Sequence, residues 1–312
     1  MKKKLINTAR VEGYIYESSL ELKKSGPNSK NPGTEFISGD LKVATNESLT
    51  NIIPVHFTYV TATTSSGKTS ATFTTLKNII DKNVSTVMAD GIEKAGKVRI
   101  DTAISLNEFY SDRSGKEELV SAKRYEGGFV NIVSTIDADE KNRNLFECDI
   151  VITNFTRKEA DEEKNLPEKG IIKGAIFDFR NSLMPVEFSV TNPNAMNYFE
   201  GLEASNKNPV FTKIRGRQIS EVATRTITEK SAFGDEFVRQ VPSTRKDWII
   251  VWAAEEPYEW DTEETMTVAE LNEAITNRET YLATIKQRQD EYKASKGAAP
   301  SIAAPATGAF NF

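Results

Sequence analysis

The sequence predicts a mostly β protein: two small antiparallel β-barrels in tandem, then a C-terminal helix and a flexible tail. Three observations predict this. Short segments alternate apolar and polar residues, as strands with one wet face do. The two halves echo each other loosely. Only the last part of the chain changes to a helical period and then to low complexity.

The first half opens with Val11–Tyr16, followed by Phe36–Val43, Ile53–Val60, Val98–Ile104, Phe129–Ser134 and Leu145–Thr153. Each is rich in β-branched or aromatic residues and bounded by Gly, Pro, Asn or Ser. Around Leu76, Ile79 and Ile80, residues 71–84 read as a short helix. The second half repeats the pattern with Gly170–Phe179, Val186–Thr191, Val210–Ile219, Val222–Ile227 and Trp248–Ala253, plus a short helix at Ala195–Leu202. Arg10–Tyr16 resembles Gly170–Phe177, and Val98–Ile104 resembles Thr212–Ile219. An early strand glycine in each half suits the coiling that barrel closure needs.

The expected units are residues 1–157, a charged linker 158–169, residues 170–260, a helix within 261–296, and a disordered tail 297–312. Thr267-Val268-Ala269-Glu270 is a capping box. Leu271, Ile275, Arg278, Leu282, Ile285, Gln289 and Tyr292 then form one helical stripe, expected to pack on the body of the same chain. The Ala/Pro/Ser/Thr-rich tail cannot bury a core, and Phe310 and Phe312 lie at its tip.

Composition excludes several chemistries. One cysteine and one histidine, Cys148 and His56, make neither a disulfide nor a Cys/His zinc site. Cys148 alternates with Phe146, Ile150 and Ile152, so it reads as core, not as half of a dyad with His56. No run of about 18 apolar residues offers a membrane helix, and no secretory signal is expected at the basic start. Ala62–Thr69 is a relaxed phosphate-loop match carrying Lys68, but the strand before it alternates with polar residues and no βαβ series follows. The acids Asp137, Asp139, Glu140, Glu255 and Glu256 lie in polar, turn-like stretches without apolar shielding. No nucleophile has an adjacent base, so a binding protein is expected and an enzyme is not, with no metal and no cofactor.

Net charge is -5, but unevenly spread. Residues 255–312 hold 11 acidic and 5 basic groups, whereas residues 205–246 hold 9 basic and 4 acidic. A basic body with an acidic tail is a hint of a polyanionic partner. Cations interleave with rings in Lys123-Arg124-Tyr125-Glu126-Gly127-Gly128-Phe129 and in Phe177-Asp178-Phe179-Arg180. Phe211, Lys213, Arg215 and Arg217 share one strand face at period two. Single-stranded nucleic acid is held by this chemistry: cations track phosphates and rings stack on bases. The candidate residues are Lys123, Arg124, Tyr125, Phe129, Phe179, Arg180, Lys213, Arg215 and Arg217.

Arg10–Tyr16, Ile37–Leu41, Ile53–Tyr59, Lys123–Phe129 and Trp248–Tyr258 resemble a family of tailed-phage single-stranded DNA-binding proteins with OB-folds. The resemblance spans residues 8–260 and rests on strand patterns. It implies two OB-like barrels that bind single-stranded DNA without sequence preference in phage replication or recombination. It also implies the host bacterial cytoplasm and replication proteins as partners of the tail. Phe312 matches the terminal aromatic of many bacterial single-strand binders, while Ala309-Phe310-Asn311 lacks their acids. The alternative is a phage structural protein whose OB-like domains make protein–protein contacts in virion assembly.

Overall fold

A computed structural model describes residues 5–27, 29–64, 66–112, 115–160, 167–229, 233, 237–262 and 265–297, with backbone alone over 221–229, 240–245 and 295–297. It is mostly β. The first six strands are β1 (Asn7–Ser18), β2 (Glu21–Lys24), β3 (Glu35–Ala44), β4 (Ile52–Thr61), β5 (Lys97–Ser111) and β6 (Glu118–Val133). The remaining five are β7 (Asn144–Lys158), β8 (Lys169–Phe177), β9 (Leu183–Val190), β10 (Val210–Glu229) and β11 (Phe237–Ala253). Helices α1 (Ala71–Asp81) and α2 (Val87–Asp90) follow β4, α3 (Pro193–Gly201) follows β9, and α4 (Val268–Gly297) closes the described chain.

Strand pairings form two circuits with the same connectivity. In the first, β1 pairs with β3, β3 with β4, β4 with β6, β6 with β5, and β5 with β1. In the second, β7 pairs with β8, β8 with β9, β9 with β11, β11 with β10, and β10 with β7. Each circuit has one parallel contact, between its third and fifth strands, and a helix between its third and fourth. An antiparallel pairing of β1 with β7 joins them into one sheet.

This arrangement corrects the expected boundaries. The first 157 residues are not one unit, because β7 pairs with β8 and β10 and opens the second circuit. The charged stretch 158–169 does not separate two units, because its first and last residues, Lys158 of β7 and Lys169 of β8, pair with each other; its residues 161–166 lie outside the described residues. The equivalent of β1 is therefore β7, not the Gly170–Phe177 strand. The echo of Val98–Ile104 with Thr212–Ile219 links β5 to β10, both fourth strands. Apolar alternation with one glycine fits any neighbouring strand, so it did not resolve a slip of one element. Val210–Ile219 and Val222–Ile227 are one 20-residue strand, and β10–β11 is one long hairpin.

Alternation puts Val11 and Ile15 of β1, Val98 and Ile100 of β5, and Phe146, Cys148 and Ile150 of β7 inside. The core runs across both circuits: Phe146 of β7 lies against Phe188 of β9 and Trp248 of β11. Asn7 stitches the circuits together, its side-chain amide donating to the carbonyls of Ile104 and Phe177 while its oxygen accepts from the Ile104 N–H. A second cluster lies on the outer face of β7, β8 and β10. There Val151, Phe177 and Phe211 are covered by Tyr258, Trp260, Met266, Leu271 and Ala274.

The capping box forms as read, with Glu270 N–H donating to Thr267 Oγ1 and Thr267 N–H to Glu270 Oε2, each at 3.1 Å. α4 then lies on the body: Leu271 and Ala274 are buried, and Gln289 exchanges hydrogen bonds with the backbone of Tyr110. Ile275 and Tyr292 of the expected stripe face outward. The tail beyond Gly297, including Phe310 and Phe312, lies outside the described residues, as do Glu263 and Glu264.

Candidate functional site

A β-bulge divides the Lys123–Phe129 motif between core and surface. Tyr125 and Phe129 are four residues apart and would share a face in a regular strand. Pairing shifts between Asp101 and Ala103 of β5, where Thr102 opposes both Gly127 and Gly128. Gly128 has φ +108°, and a Cβ there would meet the Asp101 carbonyl oxygen at 2.2 Å, so only glycine makes this bulge. The extra residue reverses the alternation beyond it.

Tyr125 is therefore fully buried, edge-on to Trp248 at 4.9 Å, with its hydroxyl donating to Asn144. Burial pushes its phenol above the usual range. As a base-stacking ring, Tyr125 is corrected: it is a core residue. Phe129, by contrast, is 70% exposed.

Lys123 also points inward. Its ammonium lies over Phe188 at 4.6 Å and Trp248 at 5.6 Å and donates to the Glu187 carbonyl. Burial lowers its pKa to about 8, against the raising effect of Asp247 and Glu187. Its place is thus between the circuits, against the rings of Phe188 and Trp248. Arg124 pairs with Glu126 at 3.0 Å. Burial acts to raise the Glu126 carboxyl, but Thr58 and Arg124 outweigh it and hold the group below the usual range.

Phe177 and Phe179 separate in the same way. Phe177 ends β8 in the second apolar cluster, whereas Phe179 lies in the turn, 76% exposed. The Asp178 carboxylate shapes that turn by accepting from the N–H groups of Arg180 and Ser182. The Arg180 guanidinium lies 5.0 Å from the Phe179 ring centre.

Phe211, Lys213, Arg215 and Arg217 do share the outer face of β10, yet Phe211 is buried beneath Tyr258 and Trp260. Glu147 sits between two of the cations, 3.7 Å from Lys213 and 2.6 Å from Arg215. Arg217 donates to the Lys141 carbonyl. The expected bare cationic strip is therefore an acid-bridged one. Arg215 also lies 4.7 Å over Trp252, a half-exposed ring on β11 that sequence reasoning missed. A residue skipped in pairing with β11 at Arg215 and Gly216 brings them together, and no local pattern signals it.

Cross-strand register places Phe129, Asp101, Arg10 and Leu145 in one row over β6, β5, β1 and β7. Beside it, Thr8, Glu147, Arg215 and Trp252 form a row over β1, β7, β10 and β11. Arg10 and Asp101 pair at 2.9 Å. This continuous outer face thus carries exposed rings at both ends and paired charges between them.

Phe179 and Arg180 line a different feature, a cleft of about 780 Å³ between the circuits. Its walls are the start of β1, residues 103–106 of β5, the β8–β9 turn with Leu183 and Met184, and α4 from Ala274 to Tyr281. Arg278 closes it from α4, both terminal nitrogens gripping Glu108. Its Nε is buried and has no hydrogen-bond partner.

The structure keeps the other sequence motifs apart. Cys148 is buried in the second circuit, its thiol pushed up by burial, while His56 pairs with Asp40 at 2.6 Å in the first. Around Lys68 the chain makes a tight turn, Thr64 N–H donating to the Lys68 carbonyl. β4 before it pairs antiparallel with β3 along its length and parallel with β6 only at Val55 and His56, which is not the parallel sheet of a phosphate loop. Among the described residues there is no group of three or more His, Cys, Asp or Glu able to hold a metal ion. No described helix is long and apolar enough to cross a membrane.

The molecule is thus a mostly β protein with a C-terminal helix, two strand circuits of like connectivity, and exposed ring–cation pairs. The chain belongs to the YorF family, whose model matches residues 5–288. No curated protein matches it. Among solved structures it is similar to a deletion variant, also carrying an arginine-to-alanine substitution, of the single-stranded DNA binding protein from Thermus aquaticus. That similarity has 9% identity and a TM-score of 0.45, over 84% of this chain and 99% of that chain.

Proposed function

We propose that this chain is a binding protein, not an enzyme, and that it holds single-stranded DNA without sequence preference on two OB-like barrels. Each five-strand circuit has the third-to-fifth strand contact and the intervening helix of that Greek-key plan, which supports the barrel reading. Fold alone does not give function. The observation that carries the functional reading is the exposure of Phe129 and Phe179, 70% and 76%, on elements held by a continuous core. A large ring kept in water beside cations suits stacking on bases, which every base offers.

A role in phage DNA replication or recombination in the host cytoplasm rests on the resemblance of the strand motifs alone. The test is fluorescence anisotropy with labelled oligo-dT at two salt concentrations. The reading requires binding that weakens with salt and is equally strong for other unstructured sequences. Absence of binding at low salt overturns it.

A further inference from the structure

We infer that the cleft between the circuits and α4 is a subsite for one nucleotide, its base inside and its phosphate at Arg180. The inference rests on the single-stranded DNA reading and adds where one base goes. Four observations support it. The cleft, about 780 Å³, has the size of a small-ligand site and not of a strand groove. Its walls are mainly aliphatic and aromatic, including Leu106, Leu183, Met184 and Tyr281. Its rim carries the exposed Phe179 ring with the Arg180 guanidinium beside it.

The fourth observation is polar. Arg278 lines the cleft and has a buried Nε–H with no acceptor, although its other nitrogens are committed to Glu108. Buried donors are normally satisfied, so an unused one on a residue that lines a cleft calls for an explanation, which an acceptor bound there would give. Glu126, also on the lining, supplies a carboxylate acceptor. A nucleobase presents ring carbonyls or nitrogens and N–H groups on one flat edge, so it answers both a donor and an acceptor. A purely apolar ligand would leave the Arg278 Nε–H as it is. Arg180, outside on the Phe179 ring, is placed for the phosphate that follows the base.

The site is distinct from the outer face of Phe129 and Trp252. A strand that crosses the face and drops one base into the cleft would contact both circuits and α4. The base is held by shape and by generic edge chemistry, which fits binding without sequence preference.

The test uses the full chain and two variants. Asn277→Trp puts a large ring at an exposed cleft-lining position on α4. Phe179→Ala removes the exposed rim ring and cannot open the core. Each protein is titrated with labelled oligo-dT and with an oligomer of equal length made of abasic nucleotides, and its melting temperature is recorded. The expected result is a five- to fifty-fold loss of oligo-dT affinity in each variant, with unchanged melting and equal, weaker binding of the abasic strand by all three proteins. Parent-like oligo-dT binding by both variants overturns the subsite, removes Phe179 from the DNA path and leaves the general reading to the outer face of Phe129 and Trp252. Equal losses on both strands also overturn it, because the cleft would then act on the backbone and not on a base. Failure of the parent to bind either strand overturns the single-stranded DNA reading itself, and the subsite with it.

Discussion

Arg278 of α4 and Glu108 of β5 form a two-pronged ion pair that spans 170 positions of sequence, with the carboxylate only 2% exposed. This pair ties the C-terminal helix to the first circuit. Glu108→Ala would leave a buried guanidinium without its counter-ion, which costs about 3–5 kcal/mol. In a chain of this size that lowers Tm by roughly 2–4 °C per kcal/mol. Thermal melting followed by circular dichroism checks it. The double variant Glu108→Leu, Arg278→Met should recover most of the loss, since two apolar groups replace a desolvated pair.

Lys123 gives stability a pH dependence of its own. Its folded pKa, about 8, lies below its ordinary 10.5 because burial disfavours the ammonium. Between these values the unfolded chain binds more protons than the folded one. The penalty is therefore full below pH 8 and is relieved as pH rises through 10.5. The rise is on the order of 3 kcal/mol, at about 1.4 kcal/mol per pH unit. Melting curves from pH 7 to 10.5 should show this gain against the Lys123→Met variant, which lacks it. Parallel pH profiles for the two proteins would refute the assignment.

The bulge at Gly127 and Gly128 predicts opposite phenotypes for two rings of one motif. Phe129→Ala should leave melting within about 0.5 kcal/mol of the parent, while weakening oligo-dT binding by roughly 1–3 kcal/mol. Tyr125→Ala should cost about 3–5 kcal/mol of stability through a core cavity. Paired melting and anisotropy measurements separate the two, and a stable, binding-defective Tyr125→Ala protein would contradict the burial described.

Glu147 is predicted to restrain the outer face. It shares its carboxylate between Lys213 and Arg215. Glu147→Gln frees both cations, so oligo-dT affinity should rise at low salt. The dependence of log K on log salt should also steepen, by about 0.7 for each phosphate newly contacted. Conversely, replacing Lys213, Arg215 and Arg217 together by Ala should flatten the slope. An unchanged slope in both variants would remove this face from the DNA path.

The sequence by itself determined the strand content, the capped C-terminal helix and the place of Cys148 in the core. These depend on local patterns: alternation at period two and a Thr-x-x-Glu start. It also pointed to Phe129, Phe179 and Arg180, which the fold does expose. Only the tertiary structure decided which motif residues reach solvent. A bulge opposite Thr102 sends Tyr125 and Phe129 to different sides, and a strand end does the same for Phe177 and Phe179. Pairing partners far away in sequence decided the rest. Glu147 neutralises Lys213 and Arg215, Trp252 meets Arg215, and β7 opens the second circuit. Such outcomes depend on register and ring closure, which are set by the packing of all strands together and leave no mark in any one of them.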